Sequence, residues 1–463
     1  MNGKDIIRLG LKGHLIGLAL KAADARKGLS KRELLDELSS VIAHPQDYLD
    51  QPPYRGLAEE LLKAESQQAA AERSRLRELP LAYDVWGPEL IEDGARRQMN
   101  VAMRLPVSVA GALMPDAHVG YGLPIGGVLA TRSAVIPYGV GVDIGCSMML
   151  SVLPVENLER SEMLRLLQRH TRFGAGVGWE GRERPDHDVL DDPAWRESKL
   201  LGYLHGKAAQ QIGTSGSGNH FVEFGTFRLD EPDLGLEAGE YVAVLSHSGS
   251  RGTGAQIAGH FTRVAERLHP HLDPEARKLA WLDLDSDDGQ AYWQAMTLAG
   301  RYALANHEII HARIAKALGV RALAQVSNSH NLAWKAELNG EQVVVHRKGA
   351  TPAAAGQLGI IPGSMADPGY VVRGLGEPRS LESASHGAGR AMGRKDAERR
   401  IPKADMRAYL EARGVTLIGG GIDEAPMAYK RIDDVIAAQG DLVSVVGQFK
   451  PQVVRMDTGS EDI

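Results

Sequence analysis

The stretch GVDIGC sets an aspartate and a cysteine, Asp143 and Cys146, on one glycine-framed turn. The same framing recurs along the chain. MPDAHVGYG holds Asp116 and His118, GSGNHFVE holds Asn219, His220 and Glu223, and LSHSGSRG holds His247 and Arg251. SNSHN follows with His330 and Asn331, HRKGA with His346, Arg347 and Lys348, PGSM with Ser364, and SHGAGR with His386 and Arg390. Singly, each cluster has an ordinary use as a hydrogen-bonded turn. Together they supply carboxylate, thiolate and imidazole, the donors of a transition-metal site, on backbone tight enough to let them converge. A thiolate can bridge two ions, and the D-x-x-C spacing lets a carboxylate join it on one turn. Donor softness alone leans to zinc or iron, with manganese less obvious. Arg251, Arg347, Lys348, Arg390 and Arg394 add cations near these clusters, as a phosphate-bearing substrate requires. Metal donors, arginines and glycine-exposed amides together describe phosphoryl transfer.

One motif points to different chemistry. HEIIH, His307 to His311, has two histidines four apart with Glu308 between them, the spacing of a zinc protease. The sequence after it, ARIAKALG, lacks an HxxGxxH continuation, and Glu337 is only an ad hoc third ligand. Leu304, Ile309, Ile310, Ile314 and Leu318 form an apolar stripe at helical spacing, so the motif reads as part of a packed structural helix. His307 and His311 are then expected on its surface or just behind a site. Familiar nucleotide signatures are absent: there is no GxxxxGK[ST], and GYGLPIG and GVGVDIG miss GxGxxG by one residue.

The elements that must position these clusters fall into two textures. Residues 1–80 are helix-rich, with KRELLDELSSVIA and YRGLAEELLKAESQQAAAERSRLREL separated by Pro52-Pro53. From residue 81 to 463, β-rich runs such as GGVLATRSAVI, YVAVLSHSG and EQVVVHRKG alternate with helical ones. The expected fold is α+β: one large domain of mixed sheets flanked by helices, preceded by a small helical segment. Composition agrees, since 43% hydrophobic and 24% charged residues make a globular chain, not a disordered one. A net charge of −6 excludes a protein that coats nucleic acid by bulk charge but leaves room for a local basic patch. One cysteine excludes an internal disulfide. The N-terminus MNGKDIIRLGLKGHL has no signal-peptide core and no run is long enough to span a membrane, so a cytoplasmic location is expected.

On these clusters, in order from about Val85 to Val454, the sequence resembles the RtcB family of RNA ligases. The resemblance implies an enzyme dependent on GTP and manganese. It would join RNA ends bearing a 3′-phosphate or 2′,3′-cyclic phosphate to 5′-hydroxyl ends, in RNA repair or tRNA splicing. By that resemblance His386 is the histidine that becomes guanylylated. Asp143, Cys146 and His220 hold one manganese; Cys146, His247 and His330 hold a second, with the thiolate bridging. Asn219, His220, Phe221, Val222, Glu223, His330, Asn331, Pro362, Gly363, Ser364, Met365, His386, Gly387, Ala388 and Gly389 line the nucleotide pocket. Asp116 supports the metals, and Arg251, Arg347, Lys348, Arg390 and Arg394 meet RNA phosphates. An accessory activator protein also fits the resemblance. The chain departs from the pattern in two places. Gly369 stands where a serine usually contacts guanine, and Asp457 stands near the position of a terminal Lys-Gly. Both bear on nucleotide choice. The nearest rival is a paralogue that only caps 3′-phosphate ends of RNA or DNA; the remote one is the protease of His307, Glu308 and His311.

Overall fold

The computed structural model describes residues 1–457, and the acidic tail after Asp457 lies outside them. The chain divides into two compact units. The first comprises Met1–Arg75 with His269–Leu272. Its helices Gly3–Arg8 and Lys31–Ala43 both start in capping boxes, Asn2 with Asp5 and Ser30 with Glu33. They gather with His14–Asp24 and Arg55–Arg73 around Ile6, Leu38, Val41, Leu57 and Ala58.

The second unit comprises Leu76–Leu268 and Asp273–Ile463 and is built on two main sheets. One has five strands, in the order Asp84–Val85, Ser108–His118, Ile125–Arg132, Glu341–Lys348 and Asn331–Leu338. The Glu341–Lys348 strand is therefore paired on both edges. The other sheet runs Leu358–Ile361, Gly369–Gly374, Val443–Met456, Phe221–Leu229, Gly239–Ser248, Ser147–Val152 and Ala324–Ser329, with Thr416–Ile418 alongside Val443–Met456.

Side chains alternate between the faces of this larger sheet. Met148, Leu150, Ala243, Leu245 and Phe449 gather on one face. Val222, Phe224 and Val244 gather on the other, against Ile310 and Ile314 of the long helix Asp287–Leu318 and Leu166 and Leu167 of the helix Arg160–His170. Each fully buried aliphatic of this kind is worth about 1.5–3 kcal/mol. Ser286 caps the long helix at its start and Gly319, at φ +70°, ends it. Among the described residues, no helix is long and apolar enough to cross a membrane.

Candidate active site

Four neighbouring strands of the larger sheet deliver the sulfur and three imidazoles to one point. Cys146 immediately precedes the strand Ser147–Val152, His220 precedes Phe221–Leu229, His247 is the last residue but one of Gly239–Ser248, and His330 follows Ala324–Ser329. The antiparallel register pairs Phe221 with His247, and Ser147 with both Ser248 and Ser329. All four side chains are thereby at the same end of the sheet. Cys146 Sγ lies 3.0 Å from His247 Nε2 and 3.5 Å from His220 Nε2. His247 Nε2 is 3.3 Å from His330 Nε2, and His220 Nε2 is 2.9 Å from an oxygen of Asp143.

The tautomers follow from the other ring nitrogens. His220 Nδ1 donates to the Ser215 carbonyl at 2.7 Å, and His247 Nδ1 donates to the Asn219 carbonyl at 3.1 Å. Both Nε2 atoms are thus left with lone pairs facing the sulfur, the orientation a backbone carbonyl imposes on a metal-ligating histidine. Two trios have donor atoms within 4.8 Å of one another, Asp143 with Cys146 and His220, and Cys146 with His247 and His330. The thiol belongs to both. His330 Nδ1 is buried and has no hydrogen-bond partner among the described residues. These donors fit a pair of transition-metal ions sharing a thiolate.

Burial governs their protonation. It drives the Cys146 thiol well above its ordinary value, and the neighbouring Asp143 carboxylate adds to the shift. The same burial pushes His247 and His330 well below the ordinary histidine range, so both stay neutral. Burial alone would raise Asp143, yet the His220 ring beside it holds it below the usual carboxylate value. Gly249 admits that carboxylate: a Cβ there would come within 2.1 Å of Asp143 Oδ1.

A second constellation adjoins the first. His386 Nδ1 meets an oxygen of the wholly buried Asp116 at 2.6 Å, and the same oxygen accepts the His386 backbone N–H at 3.0 Å. Asp116 therefore fixes the Nδ1–H tautomer and leaves the Nε2 lone pair free. Burial would raise the Asp116 carboxyl, but the hydrogen bond from His386 and the nearby Lys430 ammonium hold it below its usual range. Lys430 Nζ donates to the carbonyls of Pro115 and Ala117 at 3.0 and 2.8 Å, bracketing Asp116 from both sides. Gly389, at φ +71°, lets the loop after His386 press on this strand; a Cβ there would lie 2.0 Å from the Asp116 carbonyl oxygen. The His386 ring is 5.0 Å from that of His330, centroid to centroid.

His386, His330 and His247 share a pocket of about 740 Å³. Of the predicted nucleotide residues, Asn219, Phe221, His330, Pro362, Gly363, Ser364, Met365, His386, Gly387, Ala388 and Gly389 line it. Four others do not. His220 sits with Asp143, and Val222 points into the opposite core with Phe224. Glu223 is buried, which raises its carboxyl well above the usual value. Asn331 braces the metal turn, its Nδ2 donating to the Asp143 carbonyl at 3.2 Å and its Oδ1 accepting from Gly349 at 2.7 Å.

The five predicted phosphate contacts divide. Arg390 and Arg394 line the pocket, where Glu424 pairs with both. Arg251 reaches Thr214 Oγ1 at 3.1 Å and the Gly174 carbonyl at 2.9 Å, beside His220. Arg347 and Lys348 are corrected: each is only 7% exposed. Arg347 donates to Ser383 Oγ and to the carbonyls of Leu381 and Glu382, and Lys348 to the carbonyls of Tyr121 and Tyr138. Neither cation is left for an RNA phosphate. Burial lowers Lys348 to about 7.

HEIIH lies in a packed structural helix, as expected, but its histidines are not on the surface. His307 and His311 are buried, at 0% and 4% exposed, while Leu304 of the supposed apolar stripe stays exposed. Their ring nitrogens are committed to hydroxyls and a carbonyl of the larger sheet. His307 Nε2 meets the Ser248 carbonyl at 3.2 Å and its Nδ1 meets Ser246 Oγ at 2.6 Å. His311 meets Ser246 Oγ and Ser151 Oγ, both at 2.7 Å, and Gln325 Nε2 donates to Ser151 at 2.9 Å. One assignment of protons satisfies all of them: Gln325 to Ser151, Ser151 to His311, His311 to Ser246, Ser246 to His307, His307 to the carbonyl. Glu308 pairs with His187 instead. No nitrogen remains for zinc, so the protease has no ligand set.

The sequence reading gave no role to Lys430, nor to Glu92, Tyr121, Met392, Tyr429 and Met456 of the pocket wall. Tyr121 carried a signal, standing inside the MPDAHVGYG cluster; the others carry none before the chain is folded.

The family model described as tRNA-splicing ligase RtcB matches residues 98–457. The RNA-splicing ligase RtcB of Escherichia coli K12 is 35% identical over 389 residues, covering 77% of this chain and 92% of that protein. That of Mycobacterium tuberculosis H37Rv is 34% identical over 427 residues, covering 76% and 98%. The tRNA-splicing ligase RtcB of Archaeoglobus fulgidus is 32% identical over 441 residues, covering 78% and 90%. A match of this extent, over the segment that carries the metal trios, His386 and Asp116, makes the chain a member of the RtcB family.

Proposed function

We propose that this protein is an RNA ligase that uses GTP to join a 3′-phosphate or 2′,3′-cyclic phosphate end to a 5′-hydroxyl end. The observation that carries the reading is His386, held by buried Asp116 and facing a pocket whose wall it shares with the metal-trio residues His247 and His330. The names of the relatives, RNA-splicing and tRNA-splicing ligases, support RNA as the substrate class. Asp143, Cys146 and His220 would hold one divalent ion and Cys146, His247 and His330 the other. Manganese is favoured by the family, although the donor set is soft. Bound there, the ions would neutralise triphosphate charge and polarise the phosphorus under attack.

The chain's own residues do the rest. His386 Nε2 attacks the α-phosphorus of GTP, the N–P bond forms, and the bond to pyrophosphate breaks. Asp116 keeps the Nδ1 proton in place and offsets the positive charge that grows on the ring. An oxygen of the RNA 3′-phosphate then takes the phosphorus of GMP and frees the imidazole. The 5′-hydroxyl loses its proton, attacks the activated 3′-phosphorus and displaces GMP. A cyclic end must first be opened by water to a 3′-phosphate. Arg390 and Arg394 offer charge to these phosphates from the pocket wall.

The test is incubation with manganese and α-labelled GTP. An acid-labile, alkali-stable adduct is expected, absent in His386→Ala. No adduct, or an adduct that survives His386→Ala, overturns the reading. Product analysis on a 3′-phosphate and 5′-hydroxyl pair then separates sealing from mere capping.

A further inference from the structure

Tyr121 is 74% exposed although it belongs to the wall of the pocket that holds His386. Val119 beside it is 47% exposed and lines the same wall. A loose loop would explain such exposure, but this loop is anchored along its backbone. Val119 N–H donates to Glu92 at 2.8 Å. Gly120 makes two bonds with the Gln98 amide, at 2.9 and 2.6 Å, and the Tyr121 carbonyl accepts from buried Lys348 at 2.5 Å. Gly122, at φ +73°, completes the turn. The backbone is held by three side chains and the ring is presented outward.

The pocket says what would cover it. Its wall combines apolar Met148, Phe221 and Met365 with the cations Arg394 and Lys395, both exposed. Lys395 has no ion-pair partner among the described residues. Aromatic faces interleaved with cations match single-stranded nucleic acid, where flat bases alternate with phosphates. A rigidly held tyrosine also loses little entropy on contact. We infer that Tyr121 is a stacking platform for the terminal base of the RNA end that enters toward His386. This rests on the ligase reading; it adds a binding residue for the nucleobase, where the arginines address only phosphates.

The test compares RNA whose reacting 3′-phosphate nucleotide carries a base with the same RNA made abasic there. Sealing rates are divided by each variant's own self-guanylylation rate, which removes effects on the first step. The wild type should prefer the base by about tenfold, within the range of one base–aromatic stack. Tyr121→Phe should keep the preference and Tyr121→Ala should lose it. A binding arm needs no catalysis: a 3′-phosphate oligonucleotide ending in fluorescent 2-aminopurine should be quenched by wild type and Tyr121→Phe, not by Tyr121→Ala. Quenching that persists in Tyr121→Ala, or no base preference in the wild type, overturns the inference; the latter leaves the ring as a docking point for a protein partner. If quenching follows Tyr121 but no labelled histidine adduct forms, the ligase reading fails and the platform stands.

Discussion

Asp116 binds both the backbone N–H and the ring of His386 with one oxygen, while its other oxygen is buried without a partner among the described residues. Asp116→Asn keeps the shape and removes the charge that supports a developing imidazolium. Self-guanylylation in a single-turnover label assay should fall by roughly 10²–10⁴. The melting temperature should move little by comparison. Gly249→Ala tests the metal turn by steric means alone, because the new methyl would displace the Asp143 carboxylate. Manganese affinity measured by calorimetry on metal-free protein should drop at least about tenfold, and an unchanged affinity would remove Asp143 from the ligand set. At this scale the sequence was informative where glycine constrained the backbone. Asp143, Cys146, His220, His247 and His330 could be proposed from sequence, and the structure brings their donor atoms together at the ends of neighbouring strands. Arg347 and Lys348 were misread for a physical reason. EQVVVHRK forms a strand paired on both edges, and even its charged end is buried. Local sequence does not reveal how many neighbours a strand has.

The strand Gly239–Ser248 divides its chemistry by face. His247 turns toward the sulfur, whereas Ser246, one residue away, turns its hydroxyl to His307 and His311 of the long helix. The hydrogen-bonded chain from Gln325 to the Ser248 carbonyl therefore clamps the helix to the back of the larger sheet, behind the candidate metal trios. From sequence, removing both histidines is expected to leave guanylylation intact, since none of the ligands come from this helix. The structure adds a cost in stability to that expectation. His307→Ala with His311→Ala strips Ser246 Oγ of two partners and opens a cavity, which should cost roughly 4 kcal/mol in urea denaturation. Weaker manganese binding should accompany it, and a double variant as stable as wild type would discard the clamp. The helix itself was legible from its apolar spacing. Its buried polar seam was not, because HEIIH carries no mark of the serines that lie opposite.

Buried histidines set an acid limit, and four of them besides His247 and His330 contribute. Burial pushes His118, His307 and His346 to about 4 and His311 to about 3, from an ordinary 6.5. Below pH 6.5 the unfolded chain binds protons that the folded one refuses, so the stability these groups support is complete above pH 6.5 and is lost as pH falls toward 4. The slope is about 1.4 kcal/mol per pH unit for each group. The urea midpoint should thus fall markedly between pH 7.5 and 5.0. His346→Gln, which removes none of the trio residues, should reduce that loss by about 2 kcal/mol. Chelation should lower the melting temperature at neutral pH if the trios hold ions, since metal bound only by the folded state stabilises it. The α+β architecture could be anticipated from texture, but strand order could not. That order has a consequence for synthesis. Val443–Met456, the last strand described, lies inside the larger sheet, between Phe221–Leu229 and Gly369–Gly374. A nascent chain still lacking it has two separated half-sheets with unpaired edges, whatever metal ligands have already left the ribosome. The enzyme is therefore assembled only after translation has passed its final strand, and a frameshift or stop codon before Val443 yields an aggregation-prone fragment in place of a shortened ligase.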